Sequence, residues 1–178
     1  MFMLSNRFTR RLVCALGAAA LVTPAVVVAA QTVVMPRVRS SHSYIRAMID
    51  EAGRRSDTFR RLVDAIEATD GIVYIEEGVC GHSARACLSL NVTPAAEFRI
   101  LRILVDPRQP DWEVMASIGH ELQHALEVFR ETTLKTAEAV YLFYSRENPT
   151  GGDSFETSAA IKAGNSVRNE VGLFARRR

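Results

Sequence analysis

The stretch from Trp112 to about Arg130 constrains this chain more than any other, because Met115, Ile118, Leu122, Ala125, Leu126 and Phe129 recur at three- and four-residue steps. That spacing stacks apolar side chains on one face of an α-helix, and the face then needs a packed partner. Asp106-Pro107 closes the run before it, and Pro110-Asp111 opens the helix with Asp111 as its expected N-cap. The polar side of the same helix carries His120, Glu121 and His124 in the pattern HExxH.

The chemistry of that pattern follows from helix geometry. At about 3.6 residues per turn, His120 and His124 sit one turn apart on one face, where both imidazoles can reach a single metal ion. Glu121 falls beside them, where a general base would stand next to a water held by the metal. Glu127 lies three residues past His124 on the same side. It is placed to orient a His ring, as metal-bound histidines generally require. It is also an alternative third ligand, although three ligands from one straight helix converge poorly on a tetrahedral ion.

The rest of the chain supplies the partners. Tyr44, Ile45, Met48 and Ile49 give a helical face starting near Ser43, and a second amphipathic helix is expected over Asp57 to Ala68, with Gly53 and Asp70-Gly71 as stops. After Gly71 the pattern turns β-branched and aromatic at Ile72 to Ile75, which predicts a strand. Ala86 to Val92 is a candidate second strand, and Phe98 to Val105 a third. Helices are expected over Thr133 to Ser145 and from Asp153 to about Leu173, the latter with Asp153 and Glu156 at capping-box spacing. Helices, a short sheet, the HExxH helix and two C-terminal helices make an α+β fold.

Composition is read only after the first thirty residues are set apart. Arg7, Arg10 and Arg11 precede an apolar run from Leu12 to Val28, and Val28-Ala29-Ala30 supplies small residues for cleavage. Residues 1–30 read as a signal peptide, 31–42 as a flexible lead-in and 43–178 as one domain in a secreted or periplasmic protein. Retention of the apolar run as a membrane anchor is the competing reading. Without the leader, 19 basic residues face 20 acidic ones, so no basic balance points to a nucleic-acid partner, and the Arg176-Arg178 tail reads as a solvated end. A mature chain of this size buries roughly 70% of its unfolded surface and needs no metal to fold.

Cys80 and Cys87 remain in that chain, and export favours a disulfide between them. Closing so short a loop contributes about 2 to 3 kcal/mol. The rival arrangement is a second metal cluster of Cys80, His82 and Cys87, short of one ligand.

A zinc site of the hydrolytic type wants two His, one carboxylate and an open water position. Glu156 is the expected third ligand to His120 and His124, since Ala159, Ala160 and Ala163 would let its helix approach closely. Glu138, Glu131 and Glu127 are the alternatives, and His42 and His82 remain available. On His120, Glu121 and His124, followed by Glu156 with Ala159, the chain resembles the zincin metallopeptidases, in particular the gluzincin pattern. The resemblance covers roughly residues 98–165. It departs from the metzincin extension, with Glu127 in place of Gly and Arg130 in place of the third His, and from thermolysin-like spacing. It implies a zinc-dependent peptidase whose metal-bound water is activated by Glu121, acting on peptides or proteins that add to the strand Phe98 to Val105, with Tyr141 or Tyr144 as transition-state donor. A secreted metal-binding domain without catalysis is the alternative.

Overall fold

The helical stripes of the N-terminal half fold where their spacing puts them. The computed structural model describes residues 35–81, 84–147 and 155–175. Helix α1 spans Ser43–Arg55 and buries Ile45, Met48 and Ala52, and α2 spans Asp57–Glu67 and buries Phe59, Leu62 and Ile66. Gly53 does not stop α1, which continues to Arg55. The break falls at Ser56, whose backbone is extended and whose hydroxyl accepts the Phe59 N–H at 3.0 Å. A side chain that satisfies an orphan N–H of the first turn sets the start of α2, and a lone glycine has no comparable hold on the end of α1.

Five strands form one small mixed sheet: β1 (Val38–Arg39), β2 (Gly71–Glu77), β3 (Ala86–Leu88), β4 (Thr93–Ala95) and β5 (Phe98–Val105). Their order is β1-β2-β5-β3, with β4 also on β5; β1 and β5 run parallel to β2, and β3 and β4 run antiparallel to β5. Two expectations change here. Val38 and Arg39, expected in a patternless lead-in, pair with Val73 and Tyr74, and Val38 is buried. The expected substrate strand β5 is also not an edge. It pairs with β2 from Arg99 to Val105, while β3 and β4 share its other side. Alternate residues along β5 are buried, but which edge of a strand stays open depends on neighbours distant in sequence.

Helix α3, Asp111–Arg130, lies against the sheet with Val114, Met115, Ile118, Leu122, Ala125 and Phe129 in the core. Pro110 rather than Asp111 is its N-cap; Asp111 is already helical and accepts the Tyr44 hydroxyl at 2.9 Å. Gly71 is required where β2 starts, because a Cβ there would lie 2.2 Å from the Phe129 ring. Helix α4 (Ala137–Glu147) starts later than Thr133, since the Thr136 hydroxyl accepts the Ala139 N–H and caps it.

Helix α5 (Ser158–Ala175) packs along α3 through small residues. Ala160 and Ala163 are buried as expected, whereas Ala159 faces outward. Gly119 and Gly164 bring the two helices together: a Cβ on Gly119 would lie 2.7 Å from Val167, and one on Gly164 would lie 3.0 Å from the Cβ of His120. The expected leader over 1–30, His82, the capping residue Asp153 and the Arg176-Arg178 tail lie outside the described residues. No helix among the described residues is long and apolar enough to cross a membrane.

Candidate metal centre

His120 and His124 project from one face of α3, with ring centroids 4.9 Å apart and planes at 71°. Glu156 approaches from the segment just before α5, its Oε2 3.2 Å from His120 Nε2. Ligand atoms of the three residues lie within 4.8 Å of one another, so together they could hold a metal ion. Glu138, Glu131 and Glu127 are not part of that group, nor is His42, whose ring stands 3.7 Å from Glu77.

Glu156 does not sit inside the helix as its capping-box spacing suggested. The cap belongs to Thr157, whose hydroxyl accepts the Ala160 N–H at 3.1 Å, so Glu156 stands one residue ahead of the cap. Two neighbours anchor it there. Phe155 packs on the Tyr144 and Tyr141 rings at 5.6 and 5.4 Å, and the Thr157 hydroxyl donates to Glu127 Oε1 at 2.8 Å.

Glu127 ties the centre together in the orienting role expected of it. Its Oε2 lies 3.1 Å from His124 Nδ1, which leaves Nε2 as the nitrogen that could face a metal, and Gln123 donates to its Oε1 at 3.2 Å. Burial alone would raise this carboxyl, but the hydrogen bonds from His124, Thr157 and Gln123 outweigh it and hold the group below the ordinary carboxylate range. Tyr144 is committed to the same framework. Its buried hydroxyl donates to the His124 carbonyl at 2.9 Å and lies 3.4 Å from Glu127, while burial raises its pKa far above the ordinary value. A hydroxyl so engaged is a brace rather than a ready transition-state donor. Tyr141 is half exposed and packs on Phe155.

Glu121 is buried, and desolvation pushes its carboxyl up to about 7; His124 and the Leu88 backbone N–H oppose the rise, and Glu156 adds to it. Burial also lowers the His120 pKa, which favours the neutral imidazole that ligates metals. Two imidazole rings and the Glu156 carboxylate converge on one point. That donor set, two nitrogens and one oxygen, is of a kind that holds a metal ion.

Two cavities meet at this group, and Glu121 and Glu156 line both. One, of about 510 Å³, is walled by Leu88, Leu90, Phe155 and the Cys80–Cys87 disulfide. The other, of about 340 Å³, is walled by Arg85, Ser117, Asn165 and Arg168. The disulfide forms as expected, with Cα atoms 6.0 Å apart, and it engages both sulfurs that a Cys80–His82–Cys87 metal cluster would need.

Sequence reasoning missed Thr157, Gly164 and Arg99. A threonine three residues before Ala160 is a readable N-cap signal, and it would have moved the helix start past Glu156. Arg99 carries no local signal at all. It is buried on β5, bonds both Asp70 oxygens at 2.7 and 2.8 Å, and donates to the carbonyls of Val128, Phe129, Glu131 and Leu134 at the end of α3. Comparison of the chain with family models, with curated proteins and with solved structures found no match.

Proposed function

We propose that the protein is a secreted zinc-dependent peptidase, with His120, His124 and Glu156 as metal ligands and Glu121 as general base. The observation that carries this reading is the convergence of Glu156, thirty-two residues beyond His124, on the two HExxH histidines. Bound there, zinc would supply Lewis acidity, lowering the pKa of a coordinated water and polarising the scissile carbonyl. Glu121, whose buried carboxyl lines both cavities, takes a proton from the attacking water. It then returns that proton to the amine released when the C–N bond breaks.

The extended substrate lies along β3 rather than β5. Among the described strands, β3 ends the sheet order on the side of the metal group, and Ala86, Cys87 and Leu88 line the larger cavity. An outer strand edge offers backbone hydrogen bonds to a peptide, here apart from the Leu88 N–H that Glu121 accepts. The disulfide at Cys87 supports export, because such bonds are rare in reducing compartments.

Glu121→Gln tests the reading. We expect the variant to bind zinc as wild type does and to lose about 10²- to 10⁴-fold in kcat on a peptide library. Peptidase activity retained in that variant would overturn the assignment of Glu121. Tight zinc binding by the wild type without turnover of any peptide would instead make the protein a metal-binding domain.

A further inference from the structure

The smaller cavity beside the metal group carries a charge that the hydrolytic chemistry does not use. Glu113, in the first turn of α3, is buried and accepts through a single oxygen from Arg85 Nη1 at 3.0 Å and from Arg168 Nη2 at 3.0 Å. Arg168 also donates through Nε to that oxygen at 3.3 Å and through Nη1 to Asn165 Oδ1 at 2.8 Å. Two guanidinium groups against one carboxylate leave a net positive charge on the cavity wall.

Arg85 meets Glu113 through Nη1 alone, while Arg168 has an acceptor at each of its three nitrogens and keeps one further N–H on Nη1 and one on Nη2. Their side chains are 58% and 38% exposed, against 11% for Glu113, and both line the cavity with His120 and Glu121. The other acids lining it are Glu121 and Glu156, which belong to the metal centre. Guanidinium presents five N–H donors in a planar fork, matched to the two oxygens of a carboxylate. A buried glutamate that holds two forks at one wall preorganises them for a further carboxylate. The larger cavity, by contrast, is walled by Leu88, Leu90, Phe155 and a disulfide.

We propose that Arg85 and Arg168 form a carboxylate-recognition subsite, so that the protein selects peptides bearing an acidic group beside the scissile bond and an apolar residue across it. This rests on the peptidase reading above. The acidic group is supplied either by an Asp or Glu side chain or by the terminal carboxylate of the substrate chain.

The test uses zinc-loaded protein and matched fluorogenic peptides with Glu or Gln beside the scissile bond, each made with a free and an amidated C-terminus. The same peptides are titrated by fluorescence anisotropy against zinc-loaded Glu121→Gln protein, so that binding is read without turnover. We expect an acidic over neutral preference of about ten- to hundredfold in kcat/KM and in Kd, the range spanned by a hydrogen bond to a charged group. The preference should collapse in Arg168→Gln and in Arg85→Gln, each of which leaves Glu113 one arginine partner. If Arg168→Gln does not fold, the more exposed Arg85 carries the test. Dependence on Glu in amidated peptides assigns the group to a side chain, and loss of preference on amidation assigns it to the chain terminus. Equal cleavage and equal binding of acidic and neutral peptides overturn the subsite and leave the peptidase standing. Selective binding without cleavage of any peptide keeps the subsite and overturns the peptidase, and absence of both overturns both.

Discussion

Two polar clusters press on the same helix, and they differ in what their atoms pair with. At the end of α3, Arg99 is 4% exposed, and its fork is filled by Asp70 and by four backbone carbonyls. Two turns earlier, His120 meets Glu156 at 3.2 Å and His124 meets Glu127 at 3.1 Å, and ligand atoms of His120, His124 and Glu156 lie within 4.8 Å of one another. A filled cluster stabilises a helix end, since its orphan carbonyls would otherwise be stranded away from water. Two imidazoles and a carboxylate within that distance could hold a metal ion. Burial alone does not separate them, because His124 at 6% exposed is nearly as buried as Arg99. What their atoms pair with does.

The sharpest way to break this comparison is Arg99→Met. It removes the side-chain donor to the carbonyls of Val128, Phe129, Glu131 and Leu134, of which Val128 and Glu131 keep a backbone N–H, and it strips Asp70 of its partner, so we expect a loss of about 3 to 5 kcal/mol in urea unfolding. Zinc affinity of the folded fraction should change little, and a large change there would show that the two clusters are one unit.

Glu127→Gln probes the other cluster through its brace. The amide cannot orient His124 as the carboxylate does, so zinc affinity should fall about 10- to 100-fold. Calorimetric titration with zinc reads this directly. An unchanged affinity would deny Glu127 its orienting role and leave it a link between Thr157 and Tyr144 only.

The smallest effect is the acid dependence of the filled cluster. Hydrogen bonds from Arg99 hold the Asp70 carboxyl below its ordinary 3.8, against an opposing contribution from burial. A depressed folded-state pKa means that stability is fully present above the unfolded value and is lost as pH falls through the folded one. Asp70→Asn should therefore lower the melting temperature at neutral pH, and the gap to wild type should close below pH 3.8. A gap that stays constant across that range would mean that charge on Asp70 contributes nothing.

Much of the fold was legible because its signals are local. The apolar spacing of α1, α2 and α3, and the β-branched runs of β2 and β5, placed those elements within a residue or two. Misplacements came where one side-chain bond outranked a general tendency. Thr136 and Thr157 cap α4 and α5 later than Thr133 and Asp153, and Ser56 caps α2 at the expected Asp57 while α1 runs past the expected stop at Gly53. β1 was missed because two residues carry no period, and β4 because Thr93–Ala95 contains Pro94.

What the sequence determined by itself is the half of the site that one helix can encode: His120, Glu121 and His124 in register, with Glu127 one turn on to orient a ring. It also determined the pairing of two cysteines seven residues apart. Tertiary structure decided the rest. It brought Glu156 to the histidines, left β3 rather than β5 as the edge beside them, and let α5 pass close to His120 over Gly164. The physical reason is range. Helical periodicity acts over four residues and is written in the chain, whereas a contact across thirty residues depends on which surfaces the whole core buries.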